Sequence, residues 1–289
     1  MDITPAAGSL GAFVSGVDLT RPLEIDQLAG VRQALADHLV VFFRKQTMTL
    51  DDLERLTDQL GGRDVTPFVK PLDERPFVIR VIKEAHDELN FANAWHSDLT
   101  YLQAPPSFTL LHAWDVPVAG GDTLWSNQYI AYEQLSPGLQ VTLRSLNAVH
   151  SAGPAYGTGG YLEKVASKTS MAIEPSAEAH RTQTHPIVTE HPDTGRPVLF
   201  LNPVYAHSIE GWTHAESAAL MQHLFRLSVN ENFTCRLHWE RHTLAIWDNR
   251  CTMHNALNDY SGVRREMFRT SVKGTVPMAY PMAYPTGGP

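Results

Sequence analysis

Two polar segments that lie about half of the chain apart place the strongest constraint on the fold. The first reads Trp95-His96-Ser97-Asp98, and the second reads Trp247-Asp248-Asn249-Arg250-Cys251-Thr252-Met253-His254. Two imidazoles and one carboxylate on one face of a metal ion are typical of non-haem Fe(II) oxygenases, because the other positions can hold a chelating co-substrate and O2. The sequence therefore predicts an iron site in the interior, at a point that both segments reach.

The spacing within the first segment suits such a site. Side chains two apart on a strand point to the same side, so we expect His96 and Asp98 to face the interior while Ser97 faces away. His254, which follows a predicted strand, supplies the third ligand. These three residues are the predicted metal ligands and catalytic centre.

A His-x-Asp triplet carries little weight alone, because a chain with 14 histidines contains roughly one by chance. A second triplet, His191-Pro192-Asp193, illustrates this. Its central proline and the Thr-Gly that follows predict a turn between two strands. We therefore expect the second triplet to be structural.

Two arginines make the prediction more specific. Arg265 and Arg269 are four apart in a predicted strand, which places both on one face, and a buried guanidinium needs an anionic partner. A dicarboxylate such as 2-oxoglutarate provides one: its keto-acid end chelates iron while Arg265 pairs with the distal carboxylate and Thr123 adds a hydrogen bond. The alternative is that both arginines are surface charges beside Arg264 and Glu266. This alternative becomes less favourable because the predicted site requires cationic side chains that bind the anionic co-substrate.

The pattern of short apolar runs predicts a mostly β protein with flanking helices, a double-stranded β-helix or jelly roll. Two helices are expected to begin at the capping boxes Thr49-Leu50-Asp51-Asp52 and Thr213-His214-Ala215-Glu216. Strands are predicted at residues 39–43, 77–82, 108–113, 185–189, 198–201, 243–247 and 268–273.

One domain over residues 1–276 is expected, because 289 residues are compatible with a single large β domain and no composition shift marks a boundary. Residues 151–179 are rich in Gly, Ser and Ala, which predicts a mobile, lid-like loop. Residues 277–289 repeat Pro-Met-Ala-Tyr and are predicted to form a tail outside the domain.

Composition limits the classes of binding partner that we expect for this chain. The net charge is −8 and the basic residues are scattered, which argues against nucleic acid and favours a small anionic substrate. No apolar stretch approaches the ~20 residues of a membrane span, and the first residues lack a signal-peptide pattern. Cys235 and Cys251 are too few for a disulfide framework. These features predict a cytoplasmic protein without a membrane partner.

The chain resembles the taurine dioxygenase and 2,4-dichlorophenoxyacetate dioxygenase family of Fe(II)/2-oxoglutarate enzymes. The resemblance covers nearly everything except the tail. It is carried by residues 8–19, 95–101, 120–123, 131–135 and 247–269.

The resemblance implies roles for single residues. His96, Asp98 and His254 correspond to the iron ligands, and Thr123 and Arg265 to the residues that bind the distal carboxylate of 2-oxoglutarate. Arg269 corresponds to the residue that faces the co-substrate or the anionic group of the substrate. Fe(II), 2-oxoglutarate and O2 are the implied cofactors and co-substrates. Relatives are often dimers or tetramers, so a homo-oligomer is expected.

Within the family, the polar set that binds taurine is incomplete here, since Ala92 and residues 65–69 replace its asparagine, histidine and tyrosine. Residues 201–205, 209–211, 233–236 and 251–254 resemble the aryloxyalkanoate dioxygenases instead. That resemblance implies an aryloxyalkanoate substrate cleaved at its ether. Phe68, Val69 and Val81 are then expected to line an apolar pocket, and Arg269 to bind the carboxylate.

Three alternatives remain open. A taurine, alkylsulfonate or alkyl sulfate dioxygenase uses the same reaction on another substrate. A zinc hydrolase uses the same three ligands, although Arg265 and Thr123 argue against it because hydrolysis needs no dicarboxylate clamp. A non-catalytic jelly roll binds an anion through Arg269.

Overall fold

A computed structural model describes residues 1–282, which form a mostly β protein with flanking helices. The helices are α1 Ile25–His38, α2 Leu50–Leu60, α3 Gln128–Glu133, α4 Pro137–Arg144, α5 Gly153–Tyr156, α6 Tyr161–Lys164 and α7 His214–Ser228. Short 3-10 helices span Ala166–Lys168, Ala177–His180 and Glu231–Phe233. The strands are β1 Asp2–Pro5, β2 Ala12–Ser15, β3 Val40–Phe43, β4 Arg63–Asp64, β5 Ile79–Lys83, β6 Phe108–Asp115, β7 Thr123–Asn127, β8 Asn147–Ser151, β9 Thr182–Pro186, β10 Val188–Glu190, β11 Pro197–Leu199, β12 Ala206–Ile209, β13 Thr234–Leu237, β14 Leu244–Asp248, β15 Thr252–Ala256, β16 Arg265–Val272 and β17 Met278–Ala279.

The largest sheet has the order β1-β2-β3-β14-β6-β16, and β5 and β4 both pair with the outer edge of β16. Neighbouring strands are antiparallel except β2 and β3, which are parallel. The register places Arg269 of β16 between Leu111 of β6 and Ile79 of β5. Because β16 has a strand on each side, its side chains are held at fixed positions.

A smaller antiparallel sheet, β13-β7-β15, packs against one face of the large sheet. The core between them contains Trp247 and Met267 from the large sheet and Trp125 from the smaller one. β15 carries His254 and β16 carries Arg269, so each sheet contributes polar side chains to this otherwise apolar interior.

Helices α1 and α2 cover the other face of the large sheet. The predicted capping box of α2 is confirmed: Thr49 accepts a hydrogen bond from Asp52 N, and Gly61, at φ 143°, ends the helix. The capping box of α7 at Thr213 and Glu216 is confirmed as well. No helix among residues 1–282 is long and apolar enough to span a membrane.

A third apolar cluster joins α3, α4 and α7 to the sheets β12-β8-β9 and β11-β10-β17. The single strand predicted at 185–189 divides here at Ile187, and its halves β9 and β10 belong to different sheets. Ile187 itself is fully buried in this cluster, and its N–H donates to Leu146 O.

Residues 151–179, predicted to form a mobile, lid-like loop, contain α5, α6, the 3-10 helix Ala166–Lys168 and most of the 3-10 helix Ala177–His180. Their glycines permit close packing: a Cβ on Gly153 would lie 2.7 Å from Nδ1 of His180. Ser151 Oγ also donates to Ala179 O at 3.0 Å. The segment therefore folds against its own end, and its function as a lid stays a prediction.

The start of the predicted tail belongs to the fold. β17 pairs with β10 through Met278 and Glu190, and Tyr280 N donates to Val188 O at 3.0 Å. The guanidinium of Arg144 lies 4.8 Å from the centroid of the Tyr280 ring. These pairings explain why the boundary at 276 is too early; residues 283–289 of the predicted tail lie outside the described residues.

Candidate metal and co-substrate site

The three predicted metal ligands meet in the interior. His96 and His254 form a β-bridge in which each backbone N–H donates to the other's carbonyl oxygen, at 3.0 and 2.7 Å. Asp98 Oδ1 lies 3.7 Å from His96 Nε2 and 3.9 Å from His254 Nε2. All three residues are buried, and their ligand atoms lie within 4.8 Å of one another, so one ion can contact all three.

The backbone between His96 and Asp98 does not form the strand that their spacing predicts. Only His96 is bridged to a neighbouring strand, and the chain then enters a turn in which Leu99 has φ 52°. Ser97 does face away, and its Oγ donates to Thr252 O at 2.7 Å. His96 and Asp98 therefore face the same point because the chain turns there, and not because both belong to one strand.

Hydrogen bonds set the orientation of two ligands. His96 Nδ1 lies 2.7 Å from Ala94 O, and a carbonyl can only accept, so the proton is on Nδ1 and Nε2 is free to bind a metal. Thr109 Oγ1 donates to Asp98 Oδ2 at 2.7 Å, which leaves Oδ1 directed at the imidazoles.

Two residues of the second motif support this carboxylate, a role that the sequence analysis missed. Asn249 Nδ2 donates to Thr109 Oγ1 at 2.8 Å, and Trp247 Nε1 donates to Asn249 Oδ1 at 2.9 Å. The Trp247 ring also packs against His254, with 4.8 Å between ring centroids. The only signal in the sequence is that both residues lie in the same conspicuous string as His254.

The charge states suit a metal ion. Burial lowers the pKa of His96 and of His254, so both imidazoles are neutral. Burial alone raises the pKa of Asp98, but the positive charge of Arg269, the imidazoles and the Thr109 hydroxyl outweigh it and bring the pKa to about 2. Neutral imidazoles and an ionised carboxylate are the forms that bind metals.

Arg269 lies beside the predicted metal ligands. Its Nη2 forms an ion pair with Asp98 Oδ1 at 3.1 Å, while its buried Nε has no hydrogen-bond partner within residues 1–282. The Nε–H is therefore the donor of this guanidinium that is available for a bound anion.

Arg265 is the buried guanidinium that most clearly lacks a partner. It is 3 % exposed, forms no salt bridge within residues 1–282, and its Nε and Nη2 are unpaired. Burial lowers its pKa. Thr123 Oγ1 accepts from Trp239 Nε1 at 2.9 Å, which leaves the Thr123 proton free to donate.

A cavity of about 30 Å³ connects these groups, and Thr123, His254, Arg265 and Arg269 are all among its lining residues. An unpaired buried charge costs several kcal/mol. The pocket is therefore suited to an anion that reaches from Arg265 to the metal ligands.

The predicted substrate residues are distributed differently. Val81 lines the small cavity with the arginines. A larger, mainly apolar cavity of about 250 Å³ is lined by His96 and adjoins the small one, with which it shares Phe91 and Ala92. Phe68 and Val69 line neither cavity: the Phe68 ring packs on Tyr156, with 5.9 Å between centroids, and Val69 bridges to Ile173. They stand behind the wall of the larger cavity, and their assignment to the pocket stays a prediction.

Most residues that line the larger cavity were not predicted from the sequence. Much of it comes from the segment 151–179, which carries weak periodicity, and from the 89–94 turn. Its main contributors are Leu89, Phe91, Tyr156, Leu162, Met171 and Tyr205.

A second buried cluster, His191, Asp248 and Cys251, is structural. Asp248 Oδ2 lies 3.0 Å from His191 Nε2, and Arg250 Nε donates to Asp248 Oδ1 at 2.8 Å. Arg250 Nη2 also reaches Asp193 Oδ2 at 2.7 Å. The guanidinium already neutralises the carboxylate, so the His191-Pro192-Asp193 triplet serves this network, as expected.

Fold and site together define a mostly β protein in which three buried residues that could hold a metal ion lie beside a pocket lined by two arginines. Residues 2–271 match the family described as "Taurine catabolism dioxygenase TauD, TfdA family". A solved taurine dioxygenase from Burkholderia xenovorans superposes with a TM-score of 0.80 at 32 % identity, over 96 % of this chain and 91 % of that one.

Two curated relatives differ in their named substrates. An alpha-ketoglutarate-dependent sulfate ester dioxygenase of Pseudomonas putida is 34 % identical over 96 % of this chain and 91 % of its own length. A (S)-phenoxypropionate/alpha-ketoglutarate dioxygenase of Delftia acidovorans is 26 % identical over 89 % of each. The chain belongs to the TauD/TfdA family and is a 2-oxoglutarate-dependent dioxygenase, which confirms the resemblance stated from the motifs.

Proposed function

We propose that this chain is an Fe(II)- and 2-oxoglutarate-dependent dioxygenase that oxidises the oxygen-bearing carbon of an alkyl sulfate ester. We assign the fold as a double-stranded β-helix, because two largely antiparallel sheets face each other across one core and the site lies between them. His96, Asp98 and His254 hold the metal, for which two nitrogens and one carboxylate oxygen are a fitting donor set.

The observation that carries the proposal is the unpaired Nε and Nη2 of the buried Arg265, which lines a cavity that also reaches His254. These two donors match the two oxygens of a carboxylate, and Thr123 has a free proton for the same group. We assign Arg265 and Thr123 to the distal carboxylate of 2-oxoglutarate.

Bound Fe(II) supplies the activation of O2 that is coupled to the decarboxylation of 2-oxoglutarate to succinate and CO2. The chain orients and shields the reactants. Thr109 and Asn249 fix the Asp98 carboxylate, while Trp247 packs on His254 and excludes water from that side of the site. Arg269 is assigned to the substrate's anionic group, toward which its unpaired Nε can donate.

Two properties of the larger cavity favour a substrate with an apolar body. The cavity lies beside His96 and is lined mainly by apolar side chains, and Ala92 stands where taurine-specific relatives carry asparagine. The sulfate ester relative has higher identity and coverage than the phenoxypropionate relative, which favours alkyl sulfate. Hydroxylation of R–CH2–OSO3⁻ at the carbon gives an unstable product that releases sulfate and leaves the aldehyde R–CHO.

An aryloxyalkanoate remains the second candidate, as the motifs favour. Aromatic side chains of the cavity wall, Phe91, Tyr156 and Tyr205, offer rings on which an aryl group can stack. The reaction type is the same as for the sulfate ester: the carbon attached to the ether oxygen is hydroxylated, and the product breaks down to a phenol and a keto acid.

The test is succinate formation by the Fe(II)-loaded protein with 2-oxoglutarate, ascorbate and O2 in the presence of hexyl sulfate, hexanesulfonate, taurine or 2-(4-chlorophenoxy)propionate. We expect hexyl sulfate to stimulate succinate and to release sulfate and hexanal in equal amounts. Stimulation by the phenoxy acid alone would establish the second candidate.

A matched control separates oxygenase from hydrolase. Sulfate release that needs zinc but neither 2-oxoglutarate nor O2 would overturn the proposal. Binding of the anions without any product would instead support the non-catalytic alternative.

A further inference from the structure

Phe91 and Ala92 lie where the two cavities adjoin. Among residues 1–282, these two line both the small cavity with the arginines and the larger, mainly apolar cavity. His254 belongs to the wall of the small cavity only, and His96 belongs to the wall of the larger one only. A co-substrate in the first cavity and a substrate body in the second therefore share this stretch of wall.

Hydrogen bonds of the backbone and of one amide hold this turn without the Phe91 ring. Ala92 O accepts from Ala256 N at 3.1 Å. Asn90 Nδ2 donates to Ala256 O at 3.2 Å and to Leu257 O at 2.9 Å. Ala92 has φ 67°, a left-handed conformation that is unfavourable for a residue with a Cβ and persists where the surrounding contacts impose it. The position of the turn is thus set by its links to the end of β15.

The Phe91 side chain is half-buried and packs on the edge of the apolar core. Because the residue lines both cavities, apolar surface of the ring remains for a bound ligand to cover from either side. A ligand in one cavity restricts the rotamers of the ring, and the second ligand then meets a surface that is already ordered.

We propose that Phe91 is a specificity-determining residue that contacts both 2-oxoglutarate and the primary substrate and couples the binding of one to the binding of the other. The inference rests on the proposed function, since it places 2-oxoglutarate in the small cavity and the apolar substrate body in the larger one. Coupling between two binding sites is reciprocal, so each ligand tightens the binding of the other by the same factor.

The metal offers a second route for such coupling, because one of its predicted ligands lines each cavity: His254 the small one and His96 the larger one. A test of the inference therefore has to remove the ring and leave the three predicted metal ligands in place. Phe91→Ala does this, and the hydrogen bonds of the turn should keep its thermal midpoint close to that of the wild type.

The experiment measures the Kd of hexyl sulfate by calorimetry on the Fe(II)-loaded protein without O2, with and without saturating 2-oxoglutarate. In the wild type we expect 2-oxoglutarate to lower this Kd about five- to tenfold, a usual size for coupled sites. In Phe91→Ala we expect the ratio of the two Kd values to fall below about twofold, because the shared contact is lost.

Leu162→Ala is the matched control, since Leu162 lines the larger cavity but not the small one. This substitution should weaken hexyl sulfate binding by the same factor with and without 2-oxoglutarate, so the ratio of the two Kd values stays at the wild-type value. Phe91→Leu keeps an apolar side chain at the shared wall and is expected to retain part of the coupling.

The outcomes separate this inference from the proposed function. If Phe91→Ala keeps the wild-type ratio, the coupling does not depend on the ring, and the inference is wrong while the proposed function stands. The same holds if 2-oxoglutarate does not change the Kd of hexyl sulfate in the wild type. If 2-(4-chlorophenoxy)propionate binds and hexyl sulfate does not, the ratio is measured with the phenoxy acid. If neither binds to the wild type, both proposed substrate classes are wrong, and the inference is wrong with them.

Discussion

Replacing Arg265 by methionine should weaken 2-oxoglutarate binding and, at the same time, stabilise the ligand-free protein. The guanidinium is 3 % exposed, and two of its donors are unpaired. With 2-oxoglutarate bound, we expect both donors to contact the distal carboxylate. Hydrogen bonds to charged groups contribute about 1.5–3 kcal/mol each, so the loss is about 3–6 kcal/mol, or about 10²- to 10⁴-fold in Kd.

Without 2-oxoglutarate, the same substitution is expected to stabilise the protein. The side chain then carries a buried charge with no salt bridge within residues 1–282, and methionine occupies similar space without that penalty. We expect the free energy of unfolding to rise by about 1–3 kcal/mol, which corresponds to a rise of several degrees in Tm. Calorimetry measures both quantities: titration with 2-oxoglutarate under nitrogen and thermal scans of the ligand-free protein.

Arg264→Met is the matched control. Arg264 is the neighbouring arginine, but it is partly exposed and pairs with Glu266 at 2.9 Å and Glu84 at 3.3 Å. Its loss should cost at most about 1 kcal/mol and leave 2-oxoglutarate binding unchanged. If Arg265→Met binds 2-oxoglutarate within about threefold of the wild type, or if its ligand-free form is less stable than that of Arg264→Met, the reasoning about the unpaired charge is refuted.

Three further predictions concern the metal end and the core. His254→Ala should abolish Fe(II)-dependent succinate formation and leave the circular dichroism spectrum unchanged, since the ligand is not needed to bury the core; residual turnover would exclude His254 as a ligand. Asn249→Ala should weaken metal binding about 10- to 100-fold, because it releases Thr109 and with it Asp98; an unchanged metal titration would show that the Asp98 carboxylate needs no such support. His112 has a pKa of about 4, lowered mainly by burial, and its Nε2 donates to Gln46 O while Nδ1 accepts from Trp114. The unfolded state therefore binds more protons than the folded state between pH 6.5 and 4, so the free energy of unfolding decreases as the pH falls through this window. In urea titrations at each pH, His112→Gln should show a smaller decrease than the wild type. An unchanged dependence of the free energy of unfolding on pH would contradict this prediction.

The sequence predicted correctly those elements that are set by interactions between residues close together in the chain. The α2 helix begins at Thr49 and ends at Gly61 because capping and glycine act over a few residues. The alternation along β16 correctly put Arg265 and Arg269 on one face, since the period of a strand is fixed. The three predicted metal ligands, chosen by residue type, do meet in the interior, although the chain turns at Leu99 where a strand was expected.

The substrate side depends on contacts between distant segments, which periodicity does not reveal. Gly153 reads as a loop residue, yet it lies against His180, and the resulting fold of 151–179 supplies much of the larger cavity. Met278 and Tyr280 read as tail residues, yet β10 offers a free edge that they join. Phe68, chosen as an apolar residue near the site, packs against Tyr101 and Tyr156, and of these three rings only that of Tyr156 lines the larger cavity.

The spacing of the two arginines of β16 leads to a prediction about the length of the co-substrate. Their Cα atoms are four residues apart, a span of about 13 Å at the rise of an extended strand. Arg269 lies at the metal end, 3.1 Å from Asp98 Oδ1, and Arg265 marks the far end of the same small cavity. β5 pairs with β16 at both arginines and β6 pairs with it at Arg269, so the spacing between the two arginines is fixed by the sheet. A co-substrate that spans them needs a metal-binding group at one end and a carboxylate at the other, so a longer or shorter diacid such as 2-oxoadipate or oxaloacetate should bind more weakly than 2-oxoglutarate.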